Sequence, residues 1–143
     1  MRYCLIIKAC VIKVGIAYFG KGNFASSLGA FNKVINILSS QTWSCDWSRK
    51  VLAELMNNIA CIHYMTGNTK ESWKNFKEAL TIQSSLSKTG IYRGVDNHLS
   101  TNSSILNYSL TLCNIGYLRL MTDKKSVSSA VKSFEDALSV CFH

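Results

Sequence analysis

Cys61 and His63 are the closest approach this chain makes to a nucleophile and its base. They lie two residues apart, and on a helix that spacing turns the side chains away from each other. Cys4, Cys10, Cys45, Cys61, Cys113 and Cys141 form no CxxC, and His63, His98 and His143 keep no metal-ligand spacing. The segment GKGNFASS offers two glycines and a lysine, yet lacks the G-x-x-x-x-G-K-[ST] order that cradles phosphate. No G-x-S-x-G and no HExxH occurs. The residues therefore point to no catalytic set, no cofactor and no metal. Chemistry, if any, lies in side chains that a surface presents to a partner.

Composition narrows the scaffold that would present them. The 143 residues are 48% hydrophobic and 17% charged, which suits one packed domain or one array of small repeats. Proline is absent, where an average chain of this length has roughly seven, so long helices are expected. Sixteen Lys plus Arg against eight Asp plus Glu give a net charge of +8. That excess suits an acidic partner, but the basic residues are scattered, with Arg49-Lys50 and Lys124-Lys125 the densest pairs. Several cysteines fall on positions that look apolar-facing, where a free thiol packs as a small hydrophobe. A reducing, cytoplasmic setting follows as the expectation. The opening MRYCLIIKACVIKVGIAYF is broken by Lys8 and Lys13, which argues against a secretory signal. No apolar run reaches the length of a membrane span. Sequons at Asn102 and Asn107 would stay unused inside a cell.

The segment NNIACIHYMTGNTKESWKNFKEAL, residues 57–80, carries the organisation. Ile59, Ala60 and Tyr64 share one helical face, with Met56 a turn earlier. Gly67 ends that helix as a left-handed C-cap. Asn68 caps the next, with Glu71 as the return partner of a capping box. Ser72, Trp73, Phe76, Ala79 and Leu80 then form one apolar stripe. The same spacing recurs in Ser27, Leu28, Phe31, Val34 and Ile35, and in Ala130, Val131, Phe134, Ala137 and Leu138. Val14-Gly15, Phe19 and Gly22-Asn23 precede the first copy at matching offsets. Asn114-Ile115-Gly116 and Leu120 precede the third. A small residue on each first helix lets the second approach, and the phenylalanine fills the gap.

A small residue, an aromatic, a turn glycine and then A-x-x-x-F-x-x-A-L on the second helix resemble the tetratricopeptide repeat. The copies span residues 8–41, 53–86 and about 109–142 of a single domain covering 1–143, and the third needs about two extra residues around 122–127. Ser27 and Val34 stand where the family has alanine, and its closing proline is missing throughout. The copies start at intervals of 45 and about 56 residues, against about 34 in a simple array. With the run Asn57-Asn58-Ile59-Ala60, this is similar to the kinesin light chain type, whose helices extend and connections lengthen. QTWSCDWSRKVL would supply the longer first helix, with Trp47 and Val51 on one face. SKTGIYRGVDNHLSTNSS, residues 87–104, would be the long connection.

The resemblance implies an all-α fold, a short right-handed α-solenoid of three helix-turn-helix repeats, and a non-enzymatic scaffold that binds a peptide in its concave groove. Carried over by position, the groove holds Lys13 from the first copy. From the second come Glu54, Asn57, Asn58, Cys61, Tyr64 and Met65; from the third, Leu110, Cys113, Asn114, Tyr117, Leu120 and Met121. Asn58 and Asn114 occupy one position, and a ladder of amides can clamp an extended backbone, though helix-face solvation explains them too. Lys13 would meet an acidic side chain. The amide and basic clamp that holds chaperone tails fails here, because Ile12, Ile16 and Leu110 stand in its places. A nucleic-acid-binding helical repeat, favoured by charge alone, is the alternative, and the irregular intervals count against it. The last helix keeps an apolar stripe with no solvating cap, which suggests a missing neighbour or self-association through the terminal repeats.

Overall fold

The computed structural model describes residues 2–39, 46–88, 98–122 and 126–142. It is all-helical, with no strand among the described residues. The elements are α1 (Arg2–Gly20), α2 (Phe24–Ser39), α3 (Asp46–Met65), α4 (Thr69–Lys88), α5 (His98–Thr122) and α6 (Val127–Phe142). Packing is closest within the pairs α1·α2, α3·α4 and α5·α6, and successive pairs meet through α2·α3 and α4·α5. α3 also touches α5, although α4 separates them in sequence.

The two described turns within pairs have one design. Gly22 and Gly67 adopt φ of 72° and 79°, which glycine reaches without a Cβ penalty. The Gly22 N–H donates to Phe19 O at 2.9 Å and the Asn23 N–H to Tyr18 O at 2.9 Å. The Gly67 and Asn68 N–H groups repeat this onto Tyr64 O and His63 O at 3.0 and 2.8 Å. That is the Schellman closure, which satisfies the last carbonyls of each first helix. The same asparagines open the second helices: Asn23 Oδ1 accepts from the Ser26 N–H at 3.2 Å, and Asn68 Oδ1 from the Glu71 N–H at 3.5 Å. The expected return bond from the Glu71 carboxylate does not form. The Asn68 N–H it would accept from is already spent on His63 O, and Glu71 lies 3.9 Å from Lys74 instead.

Two cores join the three pairs. Phe31, Val34 and Leu38 of α2 bury against Leu55, Ile59 and Ile62 of α3. Ala60 and Phe76 bury against Ile115 and Leu118 of α5. Each of these side chains larger than alanine contributes about 1.5–3 kcal/mol when fully buried. Within a pair, the expected close approach is present: the Phe31 ring lies over Gly15 and the Phe134 ring over Gly116. Ser27 Oγ, buried in that first contact, donates to Gly15 O at 2.7 Å.

One further sequence expectation changes. Residues 87, 88 and 98–104 are helical rather than connecting, because α4 runs on to Lys88 and α5 starts at His98. Ser, Thr and Asn cost only tenths of a kcal/mol each in a helix, and a helix nucleated by the apolar run further on extends back through them. Gly90, Gly94, Asp96 and Asn97 lie outside the described residues, as does the turn at 123–125. Phe31 and Phe76 of the repeat stripes are buried, whereas Phe142, outside the stripes, is 82% exposed. Of the cysteines, Cys61 and Cys113 are half-buried and Cys10 and Cys141 are exposed, all four as free thiols. Cys10 lies on α1, which no preceding pair covers, whereas Cys141 lies 3.0 Å from Ser109 Oγ of α5. Cys45 and the side chain of Cys4 lie outside the described residues. No helix among the described residues is long and apolar enough to cross a membrane.

Candidate functional site: a groove between the first helices

A cavity of about 280 Å³ opens where the first helices of all three pairs converge. Ile16 and Phe19 of α1 form one wall, and Glu54, Asn57, Asn58 and Cys61 of α3 the centre. Asn107 and Leu110 of α5 form the far wall, with Phe31 and Gln83 reaching in from the second helices. Spacing explains the central row: Glu54, Asn57, Asn58 and Cys61 follow the i, i+3, i+4, i+7 pattern of one helical face.

Four of the residues carried over into the groove, Asn57, Asn114, Tyr64 and Tyr117, are paired with each other. Asn114 Nδ2 donates to Asn57 Oδ1 at 3.1 Å and approaches Cys61 Sγ at 3.7 Å. The Tyr64 and Tyr117 rings meet edge to face, 5.9 Å apart at 79°. Both contacts tie α3 to α5. Asn57 is only 5% exposed, so its amide serves the groove floor. Asn114 thus turns its amide nitrogen to Asn57 of the same molecule. Asn58 stands on the cavity wall, half-buried, with no side-chain hydrogen bond among the described residues. Lys13 is exposed on α1 and does not line the cavity.

The electrostatics of the cavity are acceptor-rich. Glu54 is its only charged lining residue among the described residues. Burial raises the Glu54 carboxyl above its ordinary range, and no ion pair reaches it among the described residues. Gln83 donates through Nε2 to Asn107 O at 3.3 Å, while its Oε1 is buried without a partner. Gln83 was missed from sequence. The signal was present: it occupies the place that Leu38 holds in the first pair, a polar residue in an apolar row. Burial pushes the Cys61 thiol up to about 11, so at neutral pH it is a protonated, weakly nucleophilic group. Burial, followed by the nearby Tyr117, also raises the Tyr64 hydroxyl.

On another face, Trp73 is half-buried with Lys77 and Arg119 over its ring, 5.1 and 5.5 Å from the centroid. The Arg119 guanidinium also donates to Ser129 O and Ser133 Oγ, which fixes it against α6. Among the described residues no His, Cys, Asp and Glu cluster could hold a metal ion. Comparison with protein-family models and with curated proteins finds no match to this chain.

Proposed function

We propose that this chain is a non-enzymatic, tetratricopeptide-like scaffold, a right-handed solenoid of three helical hairpins that holds a partner peptide in the groove of α1, α3 and α5. The observation that carries the reading is the origin of the cavity wall, which takes side chains from the first helix of every pair. The lengthened α3, α4 and α5, of 20, 20 and 25 residues, favour the kinesin light chain-like variety. The free thiols favour a cytoplasmic setting.

The lining also says something about the peptide. Ile16, Phe19 and Leu110 suit an aliphatic stem. Glu54 and the unpartnered Gln83 oxygen favour a donor at its tip, so the residue seated here is apolar or basic. Acidic residues belong in the flanks, where the +8 surface and Lys13 meet them. The nucleic-acid alternative gains nothing from Trp73, whose ring face is taken by Lys77 and Arg119 rather than free for base stacking.

The test is selection of peptides from a random display library, followed by titration. Binding of a selected peptide falls at least tenfold in Asn58→Ala/Leu110→Glu, with helicity unchanged, and holds in Lys132→Ala. Equal binding by the groove variant overturns the reading. Capture of RNA alone, with an affinity that falls steeply with salt, would favour the alternative.

A further inference from the structure

Each second helix turns two apolar residues toward the next pair. On α2 these are Leu28 and Ile35, half-buried against the core that α3 builds from Leu55, Ile59 and Ile62. On α4 they are Trp73 and Leu80, packed against Ile115 and Leu118 of α5. The same two places on α6 hold Val131 and Leu138, which are 47% and 59% exposed. Val127 and Phe142 extend them, because positions 127, 131, 138 and 142 fall on one helical face.

The opposite end shows the matching surface. α1 corresponds to α3 at an offset of 45 residues. The places of Leu55, Ile59 and Ile62 are held on α1 by Cys10, Val14 and Ala17, and all three are exposed. One end of the molecule thus carries the stripe that α2 and α4 carry, and the other carries the face that receives such a stripe.

We propose that a second copy of this chain covers the α6 stripe with its α1, head to tail, in the register by which α2 meets α3 and α4 meets α5. The contact continues an interface that the fold already makes twice. Charge selects this pairing over its rivals. α1 contains Arg2, Lys8 and Lys13 and no acidic residue, whereas α6 contains Glu135 and Asp136 against Lys132 alone. Head-to-head contact would set two basic helices together. A head-to-tail contact is heterologous, so unless it closes into a ring each added copy leaves a fresh stripe exposed. The proposal is independent of what the groove binds.

Two exposed-site variants test it by mass measurement in solution. Leu138→Glu blocks the tail and Val14→Glu blocks the head, and circular dichroism checks that both stay helical. Wild type should grow beyond a dimer as concentration rises, and each variant alone should remain monomeric. An equimolar mixture of the two should form a 1:1 dimer that grows no further, because one intact tail meets one intact head. A wild type that stays monomeric at every concentration overturns the proposal. So does Val14→Glu assembling like wild type while Leu138→Glu does not, which would mean tail-to-tail pairing. Should Leu138→Glu lose helicity, Val131→Ser takes its place with the same expectation.

Discussion

A Cβ atom placed on Gly15 would lie 2.5 Å from Cε1 of Phe31. The Phe31 ring is fully buried in the first core, so it cannot swing aside. Gly116 stands in the same relation to Phe134, at 2.8 Å. The central pair uses Ala60 against Phe76 instead. Gly15→Ala should therefore lower stability, with overpacking of about 1–3 kcal/mol offset by about 1 kcal/mol of helix propensity. Urea unfolding of Gly15→Ala, Phe31→Leu and the double variant checks this, and the double variant should lose less than the sum of the singles.

Ser27 and Ser72 hold equivalent places, but only Ser27 Oγ has a partner, Gly15 O. Ser72 Oγ is buried and unpaired, and the third pair has Ala130 there. Ser72→Ala should raise stability by about 1 kcal/mol, and Ser27→Ala should lower it by a similar amount. Equal effects in both would show that the Ser27 bond contributes nothing.

Asn114 and Asn58 separate structure from recognition. Asn114→Ala strands the buried Asn57 oxygen and should cost about 1–2 kcal/mol. Asn58→Ala, which breaks no described hydrogen bond, should stay within about 0.5 kcal/mol of wild type. Thermal unfolding of the two variants side by side gives the answer.

Glu54 sets a pH dependence. Its folded pKa is raised by burial above the ordinary 4.5, so the folded state holds the proton more tightly than the unfolded chain. The associated stabilisation is complete below about 4.5 and is lost as pH rises through the folded value. Glu54→Gln should flatten the fall in stability across that window and be the more stable protein at pH 7. An unchanged slope in denaturation curves from pH 4 to 7 would remove Glu54 as its source.

The turns make a further expectation. Gly67→Ala forces a Cβ into the left-handed region and should cost about 1 kcal/mol, and Gly67→Asn less. Guanidinium unfolding of both variants measures the difference.

The helical pairs were legible because their signals are local. A glycine that must take positive φ, an asparagine beside it and a stripe at helical spacing each act within one or two turns. The Gly15–Phe31 and Gly116–Phe134 contacts were legible for the same reason, as a small residue facing a large one across a single turn. The groove residues were legible as a face but not as partners. Whether Asn114 bonds a ligand or Asn57 depends on how α5 lies beside α3, which no local pattern encodes. The residues after Asn97 were misjudged because Ser, Thr and Asn oppose a helix too weakly to stop one that packing has already committed. Gln83 escaped notice because the role of its place is set by the α4–α5 packing.

The tie between Asn57 and Asn114 also acts as a gauge. It holds α3 and α5 in contact beside a cavity of only about 280 Å³. An α-helix is about 10–12 Å across with its side chains, and seating one there would require the Asn114–Asn57 hydrogen bond to part and the two tyrosine rings to separate. A single side chain on an extended backbone enters without either. On the proposed peptide-binding reading, the groove would therefore sort ligands by thickness before charge, through residues that need never touch the ligand.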